Sequence, residues 1–457
     1  MAVLRTQAAS NSTMATTNEV SVEAPSRIRW MIFSLACGTS WFLYLHRYAW
    51  NIILPKFQEA HGLNNTEGGF FTSLFYWTYA GGQIPSGVVI DLFGPHLFLG
   101  TSIVLWSFAL IGFGLITSLY GVGAMRLVFG VAQAGCYPGL TKVTRVWFPL
   151  RTRTTVQGWV ATTFGRAGGA MSPIILGTVL MGWCGLHWQA ALAVMGIVGV
   201  LFGVAFLYLY RNSPAEHPLV NDAERELIAE GVAVQSLRGT LPWSKAARSN
   251  SLRWFILQQF LDAGSDLVFA TLIGSYFLLR HNLDIKNVGW LSSLPLWGGA
   301  LGGIAGGWLN DRLIRTTGNR RWSRSGIGFV GKIIGCVMLY IVSEQEGAIA
   351  ASIALMLAKF FSDWSQPTVW GTCTDLGGRC SATVFSIINT AGTLGGVVMP
   401  IVLGKVLDWN TTTSMVDGKS VSATDWGPLF LLVAAMYLAS GILWLLIDCT
   451  KSLDSDD

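Results

Sequence analysis

The sequence predicts an all-α membrane protein, with twelve transmembrane helices arranged as two pseudo-symmetric six-helix bundles. Three observations lead there. Of 457 residues, 52% are hydrophobic and only 12% charged, about half the charged share of an average soluble domain. Apolar stretches long enough to cross the hydrocarbon, about 20 residues each, recur from Trp30 to the C-terminal region. The chain also carries 53 Gly and 20 Trp, which membrane helices use for close packing and for anchoring at the headgroup level.

In chain order the expected spans are 30–53, 69–90, 97–118, 121–144, 155–181, 188–210, 252–279, 288–309, 326–343, 347–370, 382–404 and 427–448. Each must be helical, because backbone polar groups in lipid have to be satisfied within their own segment. Residues 1–28 are polar and lack the apolar core of a signal peptide, so they read as a disordered cytoplasmic tail. Spans one to six form an N-terminal bundle over 29–210, and spans seven to twelve a C-terminal bundle over 252–448. A cytoplasmic linker, 211–251, separates them, and a tail of 449–457 closes the chain. Within the linker, Asn221-Asp222-Ala-Glu-Arg-Glu-Leu-Ile predicts a short amphipathic helix capped by Asn221 or Asp222.

Lys and Arg crowd the loops on one side, notably Arg145, Arg151 and Arg153, then Arg312, Arg315, Arg320, Arg321 and Arg324. The positive-inside rule then sets both termini in the cytoplasm of a multi-pass protein of the cell inner or plasma membrane. The formal charge of +5 is explained by this orientation, and no nucleic-acid partner is expected. The seven Cys are scattered, without metal-ligand spacing or a disulfide framework. There is no phosphate-cradling glycine loop, nucleophile elbow or metal cluster, so neither an enzyme nor a cofactor is expected. A monomer is expected.

The halves echo each other. Gly87-x-x-x-Asp91 ends the second span, and Gly307-x-x-x-Asp311-Arg312 ends the eighth. With these elements the chain, from about residue 28 to 448, resembles the major facilitator superfamily, whose loop motif they match. The first copy departs by placing Leu92, Pro95 and His96 where basic residues are usual. Within the superfamily the chain is most similar to the anion:cation symporters, a group of sugar-acid, vesicular glutamate and sialic-acid carriers. Four stretches carry that likeness. They are Tyr44-x-His46-Arg47; Phe75-Tyr-Trp-Thr-Tyr79-Ala-Gly-Gly-Gln83-Ile-Pro85-Ser-Gly87; Arg126-Leu-Val-Phe-Gly130-x-x-Gln133 on to Pro138 and Trp147-Phe148-Pro149; and Trp370-x(4)-Asp375 with Asn389-x-x-Gly392-x-x-Gly395 and Pro400. Relatives of the sugar-acid type have acids at the positions of His46 and Gln133, and those acids are the usual proton carriers. Gln133 and Arg47 also fit the organophosphate:phosphate antiporters.

Ionisable residues at membrane depth cost about 2.5–3.5 kcal/mol each on insertion scales and by default face a wet cavity. Arg47 leads them, since its planar fork can hold a carboxylate or phosphate through two parallel hydrogen bonds. Tyr44, three residues earlier, shares its helical face. Arg126 and Gln133 lie seven apart and face one way; Arg126 reads as binding substrate, as steering anions inward, or as simply paired or snorkelling, and Arg166 either as a second anion-holding arginine or as the structural partner of an acid. Tyr79, Gln83, Gln133, Gln157, Trp370 and Asn389 are candidate cavity liners. Asp262 and Asp266, four apart on the seventh span, read either as sharing an exchangeable proton or as neutralising Arg47 or Arg166 between transport states. His46 reads either as a proton carrier or as a neutral packed imidazole, and Lys359 with Asp363 as a structural i,i+4 pair.

The expectation is therefore a secondary active carrier of a small organic anion, a carboxylate such as a sugar acid, working by alternating access with proton coupling or exchange. An organophosphate/phosphate antiporter and a transport-inactive sensor of the same fold are the competing readings.

Overall fold

A computed structural model describes residues 24–149, 152, 156–229, 243–377, 381–416, 419–451 and 453. The described chain is built on twelve long helical segments in the expected order. They are α1 (Ile28–His61), α2 (Asn65–Phe93), α3 (Pro95–Leu115), α4 (Leu119–Trp147), α5 (Gly158–Trp183) and α6 (Trp188–Leu209). After the linker come α7 (Asn250–Arg280), α8 (Ile285–Thr317), α9 (Arg320–Ser343), α10 (Ala348–Gly377), α11 (Ser381–Trp409) and α12 (Gly427–Leu446). Ten of these are long and apolar enough to cross a membrane by length and composition. The exceptions, α2 and α8, span 29 and 33 residues. Their Gly, Ser, Thr and charged residues lower the hydropathy, and both helices pack against other helices.

Several helices outrun their expected spans, α1 and α8 by two turns or so. Hydropathy marks where a helix leaves hydrocarbon, whereas the helix itself continues until a cap stops it. At the end of α1 that stop is Gly62, at φ +65°, a left-handed geometry that suits glycine. One element departs from an all-helical chain. Thr411–Val416 (β1) pairs antiparallel with Lys419–Thr424 (β2) between α11 and α12. In sequence the strands are rich in Thr, Ser and Val and flank Asp417-Gly418, a dipeptide favoured in tight hairpin turns.

The same packing pattern occurs twice. In the first half α1 lies on α5, α2 on α4 and α3 on α6; in the second α7 lies on α11, α8 on α10 and α9 on α12. The halves meet through exchanged partners, α2 on α11 and α5 on α8, with α1 against α7. Trp147 donates to the Arg211 carbonyl, Leu453 N–H donates to Leu376, and Arg321 pairs with Asp448. These bonds gather the ends of α4, α6, α9, α10 and α12 at one end of the bundle, the end of the chain termini. The linker docks there too. A helix from Asp222 to Ala229 is capped by Asn221, as expected, and its buried Glu224 carboxylate accepts from the Ile28 and Arg29 N–H groups. So the segment expected as the linker between the bundles also caps the first helix.

Several contacts join the halves between mid-bundle and the far end. Asn51 of α1 accepts from Gly274 N–H of α7 at 2.6 Å, and Thr178 of α5 donates to the Lys286 carbonyl of α8 at 2.7 Å. At the far tip, the Asp408 carboxylate of α11 accepts from the first N–H groups of α2, Asn65 at 2.9 Å and Thr66 at 2.8 Å. Acid at a helix N-terminus is favourable both as a cap and against the helix dipole. Close approach depends on Gly404, whose added Cβ would sit 2.3 Å from the Asn65 carbonyl. The halves are thus sealed together at the far end.

Gly404→Val should prise this seal apart. Spin labels at Glu59→Cys and Thr412→Cys, both exposed at the far end, should show a distance distribution shifted several ångströms longer. An unchanged distribution would mean the glycine contact does not hold the halves together.

Candidate functional site

Arg47 lies midway along α1 on the side facing the cleft. Its Nε donates to Gln133 Oε1 of α4 at 3.0 Å, and Gln133 in turn donates to the Leu43 carbonyl. Around the guanidinium stand three rings, Tyr44 at 5.2 Å, Phe75 at 5.0 Å and Tyr79 at 4.7 Å to their centroids. Ring quadrupoles attract a cation without neutralising it. One edge of the fork is unmet, because the buried Nη2 has no hydrogen-bond partner. Among the described residues no carboxylate pairs with Arg47.

Arg126 of α4 is 3% exposed and shares the site. Its Nε and Nη2 donate to the carbonyls of Phe71 (3.1 Å) and Thr72 (3.2 Å), and its guanidinium covers Trp50 at 4.2 Å and Phe75 at 5.5 Å. The two arginines thus share the Phe75 ring. Both line a narrow cleft with Trp50, Thr72, Phe75, Tyr76, Ala270 and Thr271. The last two come from α7, so the cleft lies between the halves.

The second half holds charges of a different kind. Lys332 of α9 and Asp262 of α7, both fully buried, form an ion pair, and Lys332 also donates to Ser362 Oγ at 2.6 Å. Lys359 of α10 donates to Asp266 and Asp363, each at 2.7 Å. Asp266 accepts from Tyr437 of α12 at 3.0 Å, and Asp363 pairs with Arg166 of α5, across the interface. Asp266 and Asp363 both sit where their helices are interrupted, so their surroundings are irregular backbone, as at other cavity-lining helix breaks. Three cations face three carboxylates here.

The expected candidates therefore sort into groups. Arg47, Tyr44, Tyr79, Gln133 and Arg126 come together. Arg166 follows its second reading, the partner of an acid. Asp262 and Asp266 belong to one charged cluster but bond different lysines, Lys332 and Lys359. The Lys359–Asp363 pair forms as expected and extends to Asp266 and Arg166. His46 turns away from Arg47, buried among Phe42, Ser107 and Gly199 with neither ring nitrogen bonded, and fits the packed-imidazole reading. Asn389 donates to Gln83 at 3.2 Å across the halves, away from the arginines. Gln157 donates to Thr144, and Trp370 stacks on Phe385 at 4.3 Å.

In the loop elements, Gly307 approaches Pro367, Asp311 is exposed and Arg312 covers Trp308 at 5.3 Å. Gly87 has open space around it, and the Asp91 side chain lies outside the described residues. Lys332, Ser362, Tyr437 and Asp408 have no role in the sequence reading. Lys332 did carry a signal, a lone lysine inside an apolar span, which by default needs a partner.

Such a fold, two repeated six-helix units around a charged central cleft, defines an alternating-access membrane carrier. The chain belongs to the Major Facilitator Superfamily, which it matches over residues 36–400. It is 28% identical to the probable sulfoacetate transporter SauU of Cupriavidus necator, over 84% of this chain and 88% of that one. It is 26% identical to the probable galactarate/D-glucarate transporter GudP of Bacillus subtilis, over 83% and 86%. Among solved structures, a bacterial homolog of the human lysosomal transporter Spinster, inward-facing and occupied, superposes with a TM-score of 0.69 at 14% identity. That match covers 92% of this chain and 94% of the other.

Lys332→Ala strands the Asp262 carboxylate and should cost about 3–5 kcal/mol, read as a lower denaturation midpoint of the purified protein. Lys332→Met with Asp262→Leu should recover most of the loss. A single variant as stable as the parent would show that the pair contributes nothing.

Proposed function

We propose that this chain is a secondary active carrier of a small organic anion, a carboxylate of the sugar-acid type, within the anion:cation symporter group. The observation that carries the reading is Arg47. It is a half-buried guanidinium held by an amide and by rings, with one nitrogen, Nη2, left without a hydrogen-bond partner beside an interdomain cleft. An amide fixes the side chain without cancelling its charge, so the electrostatic demand passes to the ligand. The relatives named for sulfoacetate and for galactarate or glucarate support the same class.

Both termini then lie in the cytoplasm, as the basic loops indicate. Gln133, Tyr44 and Tyr79 position the Arg47 fork, the anion docks on it beside Arg126, and the halves rock about them as the far-end seal breaks and re-forms. Each interior carboxylate of the second half is engaged by a lysine or arginine, and His46 lies off the cleft. Coupling by counter-anion exchange fits this arrangement better than proton transfer through those groups.

Uptake of labelled glucarate, galactarate and sulfoacetate into proteoliposomes tests the reading. At least one should enter saturably. Arg47→Lys, which keeps the charge but loses the planar fork, should weaken apparent affinity about tenfold or more, the worth of one charge-assisted hydrogen bond. Full affinity in that variant would discard the clamp. Binding without any transmembrane movement would instead favour the sensor.

A further inference from the structure

We propose that the corner of the second half where α7, α9 and α12 meet, at the termini end, binds an anionic phospholipid. The headgroup lies among exposed basic residues and the acyl chains run along α9 and α12. This corner is separate from the central cleft, and the inference stands whatever anion the carrier moves.

Three helices are tied together there. Asp448, just beyond α12, donates its N–H to Ser251 Oγ near the start of α7 at 3.1 Å, and its carboxylate pairs with Arg321 of α9 at 3.4 Å. Lys451 approaches the same carboxylate at 4.0 Å. Arg248, Arg253 and Arg320, all exposed, lie within three residues of this junction along the chain. Five cations thus gather around one acid, because Asp375, the next carboxylate, is engaged by Arg324 at 2.9 Å. A basic cluster flanking membrane helices attracts anionic headgroups, and a guanidinium suits the phosphate oxygens.

The surroundings favour a lipid over a free phosphate. Arg321 covers Trp322 at 5.0 Å, and Trp243, Trp254 and Trp322 are all exposed, as rings at headgroup level commonly are. Leading away from the corner, α12 exposes Leu438, Ile442 and Leu446, and α9 exposes Val330 and Val337. Their spacings of four and seven put each set on one helical face. The basic cluster therefore continues into an apolar surface that acyl chains can cover.

The repeated fold offers an internal comparison. In the first half the matching corner, at α1, α3 and α6, is occupied by the linker helix. Its Glu224 caps α1 and pairs with Arg29 at 3.3 Å, while Arg211 donates to the carbonyls of Tyr208 and Tyr210. In the second half α7 is capped by its own Ser249, whose Oγ accepts from Leu252 N–H at 3.3 Å. A short helix, Trp243–Arg248, leads into it with only Ala246 buried. The cations of this corner stay open to a partner.

Native mass spectrometry of the purified full-length protein tests the site with phosphatidylglycerol and phosphatidylcholine of identical chains, which differ in net headgroup charge. Phosphatidylglycerol should bind about tenfold tighter. Arg248→Gln with Arg320→Gln should weaken it about fivefold for each charge removed. Arg27→Gln, at the occupied corner of the first half, should leave it within about twofold. Equal affinity for the two lipids in the parent protein overturns the proposal, whether or not the variants fold. An unchanged preference in the double variant overturns the placement. Glycerol phosphate, which has the anionic group without the chains, should not displace the lipid; displacement at equal concentration would make this a site for soluble phosphate. A preference that emerges only once Asp454, Asp456 and Asp457 are changed to Asn would make the chain's own acidic tail the occupant, and the lipid site would fall.

Discussion

The arrangement depends on a guanidinium that no carboxylate among the described residues neutralises. Arg47 is fixed by Gln133 and boxed by Tyr44, Phe75 and Tyr79, all of which orient it while leaving its charge intact. Were Gln133 a carboxylate, the same geometry would be self-sufficient, and a visiting anion would compete with a resident one. The amide turns a salt bridge into a socket. Burial is tolerable because the rings and the facing cleft offer partial compensation.

Charge is divided unequally between the halves, though the helix packing is repeated. The first half has uncompensated cations beside the cleft; the second has a closed network of Lys332, Lys359, Asp262, Asp266 and Asp363, with Arg166 reaching in from the other side. One half is therefore suited to bind and the other to hold its own helices together. The Arg166–Asp363 pair is where the two functions touch, since it ties α5 to the break in α10 midway along the interface.

The sequence made the helices legible because twenty consecutive apolar residues have few alternatives in lipid. It also showed the core of the site, since Arg47, Tyr44 and Gln133 follow from helical spacing and from the cost of charge at depth. What it could not show was pairing between helices. Asp262 and Asp266 look like one site at four residues' separation, yet a helix interruption at Asp266 turns each toward a lysine on a different helix. Lys332 is conspicuous in an apolar run, but its partner is 70 residues away in sequence. Thr411–Val416 and Lys419–Thr424 form a hairpin that hydropathy does not register, because it lies beyond the last apolar residue of α11.

The seal at the far end has an asymmetry that bears on how the molecule moves. Asp408 satisfies the leading amides of α2 from the opposite half, so parting the halves exposes a carboxylate and a helix tip to solvent together. Water can hydrate both, and neither is stranded in a dry interior. Separation at that rim therefore exchanges protein hydrogen bonds for aqueous ones at little net expense, and the latch can release and re-engage on every cycle without a deep energetic trap.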